Sequence, residues 1–225
     1  MNTAKTKTMA LGGERFQLEI DGEQIEQVSK FSYLGSIITE DSECKHDIKH
    51  RLALGSAAMA KLKSLWSSHS LTLNTKVRLC KALVWPTVAY ASEGWTLHKD
   101  DEKRLNAFEM KMLRRMLRIS WQEHRTNESI LTDTGYKMGF LSSIKKKKLV
   151  YAGHIARATN SLEKTVMQGR VPGKRLRGRP RRSWMDDISS WTGLGAAEIE
   201  RIALNRHEWR NVVLQSSQTL STRMA

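Results

Sequence analysis

The sequence predicts a mainly α fold with a small N-terminal β-hairpin element (α+β), in which two helical units follow one another. Three observations predict it. Apolar residues recur at helical spacing through most of the chain beyond residue 40. Alternation with a period of two is confined to the first 40 residues. Hydrophobic residues make up 40% of the 225, enough for a core, while 3 prolines and 14 glycines exclude collagen-like and proline-rich arrays.

The elements follow in chain order. Phe16, Leu18 and Ile20 alternate with polar residues up to Asp21-Gly22, with Ile25 and Val28 beyond, which reads as a β-hairpin. Phe31 to Ile38 reads as another strand, or a strand and turn, and the β content ends there. Thr39 to Ser42 supplies capping types for a long helix whose stripe is Ile48, Leu52, Gly55, Met59, Leu62 and Trp66. Gly55 inside that stripe implies close approach of a neighbouring helix. Thr72 to Asn74 caps a second helix with Val77, Cys80, Leu83, Val84, Val88 and Ala91 on its apolar face, and Pro86 divides or kinks it. Asp100, Asp101 and Glu102 open a third helix, where the dipole favours acid, and Leu105, Phe108, Met112, Met116 and Ile119 form its buried stripe. Thr126 to Glu128 starts a shorter helix, and another runs from Ser142 to Arg157. Past a Pro/Gly-rich basic stretch, Trp184, Ile188 and Trp191 stand at helical spacing. Two short helices follow, Gly195 to Asn205 and His207 to Ser216, with Ile199, Ile202, Trp209, Val212 and Val213 inward and a frayed tail after Leu214.

Charge points to the partner. The net charge is +15, and it is unevenly placed: residues 1–100 carry 13 basic and 11 acidic groups, residues 101–225 carry 25 and 12. A field of that sign favours polyanions, RNA or DNA above all. Lys111, Arg114, Arg115 and Arg118 load the flank of the third helix, and Lys145, Lys146, Lys147 and Lys148 form a run within a later one. Between Arg170 and Arg182 stand seven bases and no acid: Arg170, Lys174, Arg175, Arg177, Arg179, Arg181 and Arg182. This stretch reads as an exposed, flexible linker that contacts phosphates, and Arg177-Gly178-Arg179-Pro180 is slim enough to lie in an A·T-rich minor groove. No run reaches the roughly 20 apolar residues of a membrane span, so no membrane partner is expected. Met1 to Gly13 lacks the apolar region of a secretory signal. Two cysteines, Cys44 and Cys80, exclude a disulfide framework and imply a reduced, intracellular setting, with the basic run favouring the nucleus over the cytoplasm.

Motifs for chemistry are weak. Cys44, His46 and His50 are close in sequence, but Lys45, Lys49 and Arg51 around them repel a cation, so no metal site is expected. Met185-Asp186-Asp187 puts paired aspartates at a helix start, where the dipole and salt bridges to neighbouring arginines account for them better than metal binding does. His154, on an apolar stretch, reads as structural.

Several pieces together resemble the reverse transcriptases of non-LTR (LINE-type) retrotransposons. They are Asn2 to Lys7; Phe31 to Ile38; Ala91 to Leu97; Phe108 to Ile119; Gly153 to Arg157; and Gly178 to Ile188, in the family's order over nearly the whole chain. The resemblance implies a palm remnant with Lys5 near an incoming nucleotide, and a primer-grip-like hairpin with Phe31, Tyr33, Leu34 and Gly35. Beyond these it implies a thumb-like helical bundle that packs on a template–primer duplex, and a C-terminal region that binds RNA and DNA. It implies a division into 1–40, palm remnant and hairpin; 41–122, thumb-like bundle; 123–169, helical C-terminal region; 170–183, basic linker; 184–216, a small helical unit; and 217–225, tail. The family's polymerase holds Mg²⁺ through an upstream carboxylate and an Asp-Asp turn, and this chain starts after both. The expectation is a truncated RNA-directed DNA polymerase fragment, inactive alone, with no cofactor of its own. Its partners would be RNA and DNA, through phosphates, and the missing polymerase portion. Two alternatives stand beside it: a co-opted DNA-binding or chromatin-associated adaptor acting through the Arg-Gly-Arg-Pro segment, and an inert relic.

Overall fold

Two successive β-hairpins open the structure, a computed structural model that describes residues 2, 5–11, 16–135, 139–159, 161–168, 178 and 181–222. Strands β1 (Leu18–Ile20) and β2 (Glu23–Ile25) pair antiparallel around Asp21-Gly22, and β3 (Lys30–Tyr33) and β4 (Ser36–Thr39) around Leu34-Gly35. Both turns need positive φ at both central residues, the geometry that matches strand twist. Asp21 and Gly22 adopt +56° and +79°, and Leu34 and Gly35 adopt +48° and +84°. Leucine is a poor residue for that region, at a cost of roughly 1–2 kcal/mol. Two contacts hold it there: Tyr90 donates its hydroxyl to the Leu34 carbonyl at 3.0 Å, and Arg51 Nη2 donates to the Gly35 carbonyl at 2.5 Å. The Arg51 guanidinium also stacks 4.2 Å from the Tyr90 ring centroid.

The elements that follow among the described residues are helices, as the sequence predicts: α1 (Lys45–Lys61), α2 (Lys63–Ser67), α3 (Leu73–Leu83), α4 (Trp85–Val88), α5 (Lys99–Leu117), α6 (Asn127–Thr134), α7 (Phe140–Arg157), α8 (Leu162–Met167), α9 (Trp184–Thr192), α10 (Ala196–Leu204) and α11 (Arg206–Thr222). Thr72 and Thr126 cap α3 and α6 by accepting from Thr75 N and Ser129 N. Pro86 falls in the first turn of α4, where its missing N–H costs nothing, and so divides α3 from α4.

Several boundaries differ from the sequence reading. The stripe from Ile48 to Trp66 is not one helix, because the backbone breaks at Leu62. Trp66 turns inward all the same, donating its indole N–H to the Met59 carbonyl at 2.8 Å. Thr39 to Ser42 does not cap α1; the Asp41 carboxylate instead accepts from the Thr39 hydroxyl and from Glu43 N, a local turn that lowers the Asp41 pKa. Leu83 is exposed, Ala91 sits in a left-handed turn at φ +54°, and helix α8 carries no clear periodic signal. Chain expected to fray after Leu214 continues as α11.

Two main hydrophobic cores share one helix. The first gathers Ile48, Met59, Trp66, Val84, Val88, Leu105, Phe108 and Met112 with Phe140 and Ile144 from the start of α7. The second gathers Leu149, Ala152 and Ile155 from the end of α7 with Trp184, Ile188, Ile199, Trp209 and Val213. Close approach is set by two glycines. A methyl at Gly55 would overlap Val88 Cγ2 and lie 2.9 Å from Phe108 Cζ, so α1 seats against α4 and α5 only because that position has no side chain. Gly153 does the same for Trp209 of α11.

Cys80 lies in the first core at 2% exposure beside the Met112 sulfur, and burial pushes its thiol up to about 12. Folded Cys80 is expected to resist a thiol reagent at pH 8 and to react only at the rate of global unfolding, a rate that labelling with and without urea measures. An unfolded thiol ionises near roughly 8.5. The folded chain therefore holds the proton longer, and this group's stabilisation, complete below that value, is lost as pH rises toward 12.

Candidate nucleic-acid interface

Helix α5 presents exposed cations toward its C-terminal end. Its first turn is acidic and its last turn basic, which suits the helix dipole at both ends. Lys111 and Arg115 stand four residues apart and so share one face, Arg118 follows just past the helix end, and all three are exposed. None of them forms an ion pair among the described residues. Arg118 ends the helix with φ +60°; its N–H and that of Ile119 return to the Arg115 and Arg114 carbonyls at 3.4 and 3.0 Å. This is the Schellman closure, with arginine where glycine is usual. The turn brings Arg118 Nη1 to 2.8 Å from His69 Nε2, a neighbour that sequence reasoning missed because it lies 49 residues away. Arg114 is used differently. Its guanidinium donates to the Arg125 carbonyl and Asn127 Oδ1 at 3.1 and 2.8 Å, tying α5 to the start of α6.

Beside this face a cleft of about 350 Å³ opens between α1 and α5. Ser56 and Met59 line one side and Phe108, Lys111, Met112 and Arg115 the other, and no acidic residue lines it among the described residues.

The lysine run of α7 does not join this patch, which corrects the expectation for Lys145 and Lys148. Lys145 is buried, with Nζ 2.7 Å from Glu102 Oε1 and 5.2 Å from the Trp191 ring. Lys148 is fully buried and pairs with Asp187 Oδ2 at 2.5 Å while donating to the Trp95 carbonyl at 2.6 Å. Helical geometry is the reason: Leu141, Ile144, Lys145, Lys148, Leu149 and Ala152 share the core-facing side of α7. Lys147 is exposed and engages Glu93 at 3.1 Å, and Lys146 is half-buried.

Asp187 is the centre of a buried polar joint. Its carboxylate accepts from Lys148, from Leu97 N at 2.8 Å and from Arg182 Nε at 2.7 Å. The Lys148 ammonium lies 5.0 and 5.3 Å from the Trp184 and Trp191 rings. Burial pushes the Lys148 pKa down, with Asp187 opposing that shift. The joint continues to the hairpin: Trp95 donates its indole N–H to Asp47 Oδ2 at 2.8 Å, and Asp47 Oδ1 accepts from Ile37 N of β4 at 2.9 Å. Trp184 Nε1 donates to the Glu93 carbonyl at 2.7 Å.

Asp186 closes a capping box with Ser183, and the Asp187 carboxylate is taken up by two cations and an amide, so the pair does not fit a metal-ion site. His46 and His50 are exposed, and no cluster of three or more His, Cys, Asp or Glu suited to a metal occurs among the described residues. His154 is exposed rather than part of the core.

The other candidates stand apart. Lys5 is exposed, in a turn in which its N–H reaches Asn2. Phe31, Tyr33, Leu34 and Gly35 form the β3–β4 hairpin, with Tyr33 and Leu34 57% and 76% exposed. Arg181 donates to the Asp41 carbonyl at 2.7 Å, and Arg182 to Asp187 and Ser190, so both serve docking of α9. Arg170, Lys174, Arg175, Arg177 and Arg179 lie outside the described residues, and with them most of the Arg-Gly-Arg-Pro segment.

No family model matches the chain, and no solved structure matches it. A Caenorhabditis elegans protein described as transposon-derived and uncharacterised is 27% identical over 209 residues, covering 86% of this chain and 73% of that protein. The similarity supports a transposon-related origin for the chain.

Proposed function

We propose that this chain is a nucleic-acid-backbone-binding module, derived from the thumb and C-terminal region of a non-LTR reverse transcriptase. The observation that carries the reading is the group Lys111 and Arg115 on one face of α5 with Arg118 just past its end, all exposed and without ion-pair partners among the described residues. Cations in such a group meet successive phosphates and release condensed counterions, giving affinity with little sequence preference. The transposon-related origin and the +15 charge support the same reading. The exposed Tyr33 and Leu34 of the hairpin suit a surface that the polymerase palm of such an element covers.

A salt titration of binding to an RNA hairpin and to duplex DNA tests the reading. Neutralising Z phosphates gives slopes of about −0.7Z on single strands and −0.9Z on duplex, so three cations account for roughly 20- to 40-fold in affinity between 50 and 200 mM salt. Changing Lys111, Arg115 and Arg118 to glutamine is expected to flatten the slope by two to three units. A slope unchanged in that variant moves the site elsewhere, and binding without salt dependence rejects it.

A further inference from the structure

Resting on the backbone-binding reading, the cleft beside the basic group narrows the class of nucleic acid. We propose that the cleft between α1 and α5 receives an unpaired nucleobase, so that this face selects single-stranded over fully duplex nucleic acid.

The argument starts from Gly55. Without a side chain it lets α1 close on Phe108 and Val88, and just beyond that point of contact Ser56 and Met59 line the cleft. The opening has an apolar floor of Met59, Phe108 and Met112, with Lys111 and Arg115 among its lining. Its volume of about 350 Å³ falls in the range of small-ligand pockets, roughly 300–1,000 Å³. Thioether and aromatic groups adapt to a planar ring of any identity, which gives contact without base preference. An occupant must bring a flat apolar group and negative charge together, since, among the described residues, cations and no acid line the cleft. An unpaired nucleotide does so; in a duplex the base faces are stacked on one another, and only base edges, sugars and phosphates present themselves. Lys111 and Arg115 stand one turn apart, so one contacts the phosphate on either side of an inserted base.

The test compares the full chain binding a short oligouridylate strand, the same strand with abasic positions at equal charge, and a blunt duplex. The base-bearing strand is expected to bind about fivefold or more tighter than the abasic strand. A Ser56→Phe variant, which fills the cleft, is expected to erase that difference and leave the salt slope intact. Equal affinity for the base-bearing and abasic strands, with the salt slope still dependent on Lys111, Arg115 and Arg118, overturns the base pocket and spares the backbone reading. Loss of that salt dependence rejects both. Tighter binding of the blunt duplex, or displacement by an acidic amphipathic peptide as effective as displacement by unlabelled strand, also overturns the pocket. The comparison in the unaltered chain needs no variant, so a poorly folding Ser56→Phe protein does not remove the test.

Discussion

Asp187→Ala is expected to destabilise the protein by about 3–5 kcal/mol, the usual loss when one member of a buried ion pair is removed. The carboxylate has three donors on its two oxygens, and its removal strips the fully buried Lys148 of its counter-charge and Leu97 N of its acceptor. What remains for Lys148 is the Trp95 carbonyl and the faces of Trp184 and Trp191. The sign of the pH dependence follows from burial, which already lowers the Lys148 pKa. Unfolded lysine keeps its proton to roughly pH 10.4, whereas the folded variant releases it earlier. Over that window the unfolded chain binds more protons, so the variant regains stability as pH rises from neutral. Urea unfolding at pH 7 and pH 9 measures both effects. Adding Lys148→Met is expected to recover part of the loss at pH 7, because the uncompensated charge goes with it. A loss below 1 kcal/mol that is constant with pH would falsify the assignment of Asp187 as the centre of the joint.

Trp209→Ala is expected to cost about 3–5 kcal/mol, the range for a buried tryptophan. Trp209 is 3% exposed, its indole N–H donates to the Leu149 carbonyl at 2.9 Å, and its ring occupies the space left by Gly153. Gly153→Ala in the native background forces the ring out and is expected to cost about 1–3 kcal/mol. In the Trp209→Ala background the same methyl has room, and the higher helix propensity of alanine makes it neutral or stabilising by up to about 1 kcal/mol. A double-mutant cycle in urea reads the coupling. Additive losses would show that the glycine and the indole do not share that space.

Much of this architecture is legible in the chain itself. Gly55 within an apolar stripe announces a close helix contact, and the contact is there, against Val88 and Phe108. Thr72 and Thr126 mark helix starts because a side-chain oxygen at that position satisfies an amide the helix leaves free. Asp21-Gly22 announces its turn for an equally local reason. The lysine run of α7 misleads because composition carries no direction: four consecutive helical residues point around the whole circumference, and Lys145 and Lys148 fall on the side of Ile144 and Leu149. The helical period held that information; the run of like charge obscured it. Of the partners of Asp187, a neighbouring arginine was expected and Arg182 supplies it; the other two were beyond reach for a different reason. Lys148 is 39 residues away and Leu97 90, and only the docking of α9 on α7 and on the segment after Trp95 brings them together. For the candidate site, the α5 cations were legible from their spacing, whereas the cleft beside them and the approach of His69 are products of helix packing.

Helix α7 lends Ile144 to one core and Leu149 and Ala152 to the other, with Lys148 between them. Neither core can open without exposing a face of the helix that closes the other. The two halves of the chain are therefore expected to melt as one cooperative unit, with the amides in the middle of α7 the last to take up deuterium in a hydrogen-exchange measurement.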